Sequence, residues 1–223
     1  MDIHHLKEFG KGVHLMESYE EIDFKILETA KEIFAKQGIA KTEMKDIATK
    51  AGIGRSTLYR HFASKDSILF VIANRSLVKI MNCSNIEKDK KYKNGYEMVK
   101  CQLHSLMSGM IENVEDIIFL RDFDFIFTQD FPSVEEVSRF ERYIQRTEGM
   151  TEMLKNFNIG IMDKSICKVD NPELTLLTMI NGCFAMAQRI LPREKHYIIE
   201  LGYGREIMNR HLELMLIAIK AAV

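Results

Sequence analysis

The stretch Thr42 to Phe62, TEMKDIATKAGIGRSTLYRHF, decides how this chain is read. It divides into two short helices around a glycine turn. Met44, Ile47, Ala48 and Ala51 recur at helical spacing and make one apolar face. Thr42 precedes that face as a candidate N-cap, its hydroxyl oxygen able to accept from an orphan amide two or three residues on. Gly52 follows the face directly, where a left-handed C-cap favours glycine. Ile53 is placed to plug the gap between the two helices. The second helix starts near Arg55, and Leu58 and Phe62, at i and i+4, turn to the core. Arg55, Ser56, Thr57, Tyr59, Arg60 and His61 are left outside. Such groups donate to phosphates and to base edges. This is the layout of a helix-turn-helix whose second helix enters double-stranded DNA.

The flanks agree with that unit. Upstream, Ile26, Leu27, Ala30, Ile33 and Phe34 share one helical face, and Gly38 is a plausible terminator. Downstream, Ser64 is the candidate N-cap of another helix, with Asp66 favourable in its first turn. Ile68, Leu69, Ile72, Leu77 and Ile80 carry that helix to about Met81. Residues 22–80 together resemble the DNA-binding domain of TetR-type (tetracycline-repressor-like) bacterial regulators. The resemblance lies on Ala30, Phe34, Gly38, Thr42, Ile47, Ala48, Ala51, Gly52, Thr57, Leu58, Tyr59, Phe62, Lys65 and Leu69, without a gap from Ala30 to Leu69. Members often have a lysine and a small residue where this chain has Arg55-Ser56, a departure expected to alter base preference more than docking. The resemblance implies a homodimer with two recognition helices in successive major grooves of a palindromic operator. Arg55, Ser56 and Thr57 are then expected near base edges. Thr42, Tyr59, Arg60, His61 and Lys65 are expected mainly at phosphates.

The whole chain carries a net charge of −1, which on its face argues against a nucleic-acid partner. The distribution matters more: Glu20 to Lys79 holds eleven Lys and Arg against eight Asp and Glu, so the reading head is locally basic. At 46% hydrophobic the chain has enough apolar residues to fold rather than stay disordered. Residues 1–20 are weakly patterned and are expected to be a flexible arm; 21–81 form the helix-turn-helix domain. The polar, lysine-rich run from Asn82 to Asn94 marks the start of a second domain, 82–223.

The second domain reads as all helix, because no segment shows sustained two-residue alternation. Helices are expected over about 94–113 and Asp116–Gln129. Others open at the S-x-x-E capping box of Ser133 and at Asn171-Pro172, where a cap precedes proline at N1. Pro192 closes the last of these, and a final helix is expected from about Ile199 to Ala221. The fold class is therefore all-α: a three-helix N-terminal DNA-binding domain and a C-terminal helical domain for ligand binding and dimerisation. The two final helices are apolar almost all round, consistent either with one thick intrachain core or with a surface that pairs with its copy. The resemblance favours the pair, with Leu177, Phe184, Ala187, Met208, Leu212 and Met215 at the interface. A small apolar or amphipathic effector is expected among Met110, Phe119, Phe123, Asp124 and Phe127, where methionine is adaptable and a carboxylate among rings suits a cation. Asp124 has an alternative partner in Arg121 at i−3.

Other function classes lack support. There is no G-x-S-x-G, phosphate-binding glycine loop or H-E-x-x-H, and the four cysteines show no C-x-x-C spacing, so no enzyme, cofactor or metal site is expected. The cysteines read as reduced packing residues of a cytoplasmic protein, and no apolar run reaches spanning length. The expected function is a ligand-responsive DNA-binding regulator, most simply a repressor. Its alternatives are an activator and a protein–protein adaptor that keeps the helix-turn-helix as scaffold.

Overall fold

The computed structural model describes residues 20–85, 91–128 and 148–221. Among these the regular structure is all helix, joined by turns and loops, apart from an isolated bridge between Ile166 and Lys220. The all-α expectation is met. Of the expected N-terminal arm only Glu20 is described, and the capping box at Ser133 lies outside the described residues.

Helix α1 (Glu21–Gln37) buries Ile26, Leu27, Ala30, Ile33 and Phe34, the face read from the sequence. Its first turn is closed by Asp23 Oδ2, which accepts from Glu20 N at 2.8 Å. Helix α2 (Met44–Ala51) is opened by Glu43 rather than by Thr42: Glu43 N donates to Asp46 Oδ2 at 2.9 Å. Thr42 sits one residue too early to cap. Its hydroxyl donates to the Gly38 carbonyl at 2.8 Å and so satisfies a backbone acceptor that the turn would otherwise leave bare. Gly52 ends α2 in the left-handed region (φ 67°, ψ 34°), and its N–H closes on the Ala48 and Thr49 carbonyls. Helices α3 (Arg55–His61) and α4 (Lys65–Asn82) follow. Ser64 caps α4 as expected, accepting from Ser67 N at 3.1 Å.

Six further helices are described: α5 (Gly95–Glu112), α6 (Val114–Ile126), α7 (Glu148–Met162), α8 (Pro172–Ile190), α9 (Glu194–Leu201) and α10 (Arg205–Ile219). Asn94 caps α5 by accepting from Glu97 N, and Asn171 caps α8 by accepting from Leu174 N, both at 3.0 Å. Helix α5 packs against α7, α8 and α10, and α8 packs against α7 and α10. The α5–α7 contact is backbone to backbone: a Cβ on Gly95 would lie 2.1 Å from Gly160 N. The final helix expected over 199–221 is instead two helices. Gly202 adopts φ 76°, a left-handed turn that ends α9 before α10 begins. By length and composition, Pro172–Leu201 passes for a membrane span, which the sequence reading did not register. A 3-10 turn at Leu191–Arg193 interrupts it, and Leu176, Met179, Ile180, Cys183, Ala187 and Ile190 on α8 are core residues.

The described residues gather into two compact units. The head runs to Asn74 and takes in 126–128; the body holds Arg75–Phe125 and the residues from 148 on. The division thus falls inside α4, ahead of the polar loop at which composition changes. Side-chain bonding explains the difference: Ser76 and Lys79, past the division, both bond the buried carboxylate of Asp116 on α6. Polarity along the sequence marks where a helix ends, not which neighbours its turns choose.

Candidate nucleic-acid interface

Helix α3 has a single buried side chain, Leu58, and that fixes how it lies. With 3.6 residues per turn, Arg55, Tyr59, Ser56 and Arg60 span an arc of about 140° on one side. All four are exposed, Tyr59 by 53%. Thr57 is half-buried at the edge of that face. This array of two guanidiniums, a hydroxyl and a phenol faces water, with donors matched to phosphate oxygens and to guanine edges.

Three residues expected at phosphates have partners inside the head. Thr42 is 1% exposed, and besides donating to Gly38 O its hydroxyl accepts from Gln37 Nε2 at 3.3 Å. His61, the last residue of α3, turns to α1: its Nδ1 lies 2.9 Å from Asp23 Oδ1, both side chains nearly buried. Lys65 donates from Nζ to the carbonyls of Ile39 at 3.0 Å and Thr42 at 3.1 Å. These residues hold the turn before α2 and the end of α3 in place. Sequence reasoning missed Asp23, whose partner is 38 positions away; its only local signal is that of a first-turn acid on α1. It also missed Lys50 of α2, which bonds Glu32 of α1 at 2.7 Å and keeps that carboxyl below its ordinary pKa.

The Lys65 geometry yields a prediction. Lys65→Ala should lower stability by about 1–2 kcal/mol, because two carbonyls lose a charged donor. It should weaken binding to every duplex equally while leaving the slope of log affinity against log salt unchanged. A phosphate contact would instead reduce that slope by about one unit. A thermal melt with a salt titration separates the two.

Comparison with known proteins bears on the same stretch. Residues 26–72 match the family model of bacterial regulatory proteins, tetR family. Over this stretch the chain carries a tetR-type DNA-binding domain. An HTH-type transcriptional regulator of Staphylococcus aureus (strain bovine RF122 / ET3-1) is 35% identical over 89 residues, 40% of this chain and 48% of that protein. The chain thus spans about half the length of the curated relatives it matches. The fold likeness is wider. A tetR-family regulatory protein from Rhodococcus RHA1 superposes with a TM-score of 0.65 at 17% identity, over 92% of this chain and 100% of that one. The TetR-family repressor FadR of Thermus thermophilus, solved in complex with lauroyl-CoA, gives 0.57 at 16%, over 87% and 93%.

The body of the chain distributes the remaining candidate residues differently from expectation. Met110, Phe119 and Phe123 are buried core. Asp124 faces outward, bonded to Gln188 Nε2 of α8 at 2.8 Å; partial burial of its carboxyl pushes its pKa up against that bond. Arg121 pairs with Asp122, not with Asp124. Phe127 falls in the head unit, its ring 5.1 Å from that of Phe70. The set does not form one site. Two grooves on the body are lined by other residues: about 360 Å³ beside Cys83, His104 and Glu112, and about 480 Å³ beside Met186, Tyr203 and His211.

The dimer candidates divide as well. Ala187, Met208 and Leu212 are fully buried within the single chain and serve its own core. Leu177, Phe184 and Met215 are half-buried. The exposed large apolar side chains of α8 and α10 are Leu174, Leu214 and Ile217. Sequence cannot set the rotation of a helix that is apolar all round, because every azimuth offers a core. The cysteines are free thiols, and burial pushes Cys183 up to about 12. Among the described residues, no three His, Cys, Asp or Glu are placed to hold a metal ion.

Proposed function

We propose that this chain is a ligand-responsive transcriptional repressor that binds a palindromic operator as a homodimer in the cytoplasm and is released by a small apolar or amphipathic molecule. One observation carries the reading: the exposed arc of Arg55, Ser56, Tyr59 and Arg60 on a helix seated by Leu58 behind a left-handed Gly52 turn. A scaffold freed from DNA contact has no need of two unpaired-side guanidiniums and a phenol on one face. Arg55 and Ser56, with Thr57 at the edge, are assigned to base edges, and Tyr59 and Arg60 to phosphates.

Leu174, Leu214 and Ile217 support a dimer through α8 and α10, since exposed apolar side chains on adjacent helices favour a partner. Two heads are also what specific affinity requires of so short a recognition helix. The Met- and Phe-rich interior supports an apolar effector. So does the acyl ligand of the structurally similar Thermus thermophilus repressor. The effector acts only if it prefers one arrangement of the heads over the other.

The test is fluorescence anisotropy on the chain's own upstream intergenic DNA and on a scrambled duplex, across a salt series. Sequence-preferring, salt-sensitive binding by two protomers per site is expected. Arg55→Ala should lose about 1–3 kcal/mol of discrimination at particular base positions. Equal losses on both duplexes would remove Arg55 from base reading.

A further inference from the structure

The interior of the body is apolar around one polar pair. Gln102 on α5 is fully buried, and Asn156 on α7 is 5% exposed. Asn156 Nδ2 donates to Gln102 Oε1 at 3.0 Å. Gln102 Nε2, with two N–H groups, has no acceptor. Its neighbours along α5 and α7, Val99, Leu103, Leu106, Met153 and Phe157, are buried and apolar. Two other buried polar side chains of the body are committed, Asp116 to Ser76 and Lys79 and Ser84 to the Met81 carbonyl. Nε2 of the half-buried His211 on α10 also lacks a partner but borders an open groove rather than the apolar interior. A buried donor left bare costs its full desolvation, whereas an apolar pair of the same shape would cost nothing. Stability does not account for this amide.

We propose that Gln102 Nε2 is the polar recognition point of the effector. The ligand is an apolar molecule with one uncharged hydrogen-bond acceptor, a ketone, ester or amide carbonyl. Its carbonyl oxygen accepts from Gln102 while Asn156 holds the amide in that orientation. This rests on the reading of the chain as a ligand-released regulator. Charge selects the class. Among the described residues no buried cation lies in the body, so a carboxylate would enter without a counterion. A cationic ligand would meet two N–H donors. Met107, Met110 and Met153 of the same two helices are buried and unbranched, so the interior can repack to admit the uncharged ligand.

The experiment uses the full chain with 2-undecanone and, at equal length, undecanoate. Thermal unfolding and operator release are measured for each. In the wild-type chain the ketone should raise the melting temperature and release operator, and undecanoate should do neither at the same concentration. The double variant Gln102→Met with Asn156→Leu should melt at or above wild type, while its ketone midpoint moves by at least about tenfold. Three results overturn the proposal: a wild-type response to undecanoate but not to ketone, no ketone response at all, or a double variant that responds within threefold of wild type. A double variant that melts well below wild type also overturns it, since the pair would then be structural. The wild-type comparison stands without any variant. Operator preference measured without ketone tests the regulator reading separately. Its absence defeats that reading, whereas a preference that ketone leaves unchanged defeats only the Gln102 site.

Discussion

Leu58→Ala should abolish specific DNA binding and cost the head about 3 kcal/mol. Leu58 is fully buried and is the one buried side chain on α3. Removing three of its carbons leaves a cavity against α2, and Leu-to-Ala changes at such sites cost about 2–5 kcal/mol. Total stabilities of about 5–15 kcal/mol make that a large share. The recognition arc also depends on this side chain. The His61–Asp23 bond then holds only the end of α3, so the helix can tilt and rotate about that end and the face shared by Arg55 and Tyr59 loses its fixed orientation toward DNA. Operator and scrambled duplex should then bind alike and weakly. The checks are a thermal melt and anisotropy on both duplexes. A variant that keeps wild-type operator preference would show that α3 is seated by something other than Leu58.

Gly95→Ala should be as damaging in the body while sparing DNA chemistry. The added Cβ would lie 2.1 Å from Gly160 N and 2.4 Å from Gly160 Cα, and 2.8 Å from Asn156 O. All three are backbone atoms, so no flexible side chain can give way. The start of α5 must move off α7, which pulls Gly95 N from Asp163 Oδ2 (2.7 Å) and Tyr96 N from Ser165 Oγ (2.9 Å). Overpacking of this kind costs about 1–3 kcal/mol, and the lost bonds place this site at the upper end. A fall of roughly 6–12 °C in melting temperature follows for a chain of this size. Gly54→Ala is the matched control, because its Cβ would meet only Ser56 Oγ at 3.8 Å and Thr57 Oγ1 at 3.9 Å. If both alanine variants melt alike, the close approach of α5 and α7 is not what the packing requires.

Much of the head was legible because its signals are local. The Gly52 turn, the Ser64 cap and the apolar face of α1 each depend on residues within a few positions of one another. The body was legible at Asn94 and Asn171 for the same reason. The break at Gly202 was missed because a lone glycine inside an apolar helical pattern reads as tolerated, and only its positive φ shows that the chain turns there. The expected site was least legible where a side chain had two possible uses. Thr42, His61 and Lys65 have the right chemistry for phosphate, yet each is engaged by a group that sequence spacing does not bring near.

By itself the sequence determined that this chain is helical, where most helices start, and that one short helix carries a basic, hydroxyl-rich outer face. Those properties follow from capping, glycine conformation and a period of 3.6 residues, all written in neighbouring positions. Tertiary structure alone decided which polar groups remain free for a ligand and which brace the fold. It turned His61 to Asp23 and Lys65 to two carbonyls, drew Ala187, Met208 and Leu212 inward, and left Gln102 Nε2 bare. The reason is physical: a buried polar atom is stabilised by whichever partner packing supplies, and packing joins residues that lie far apart along the chain.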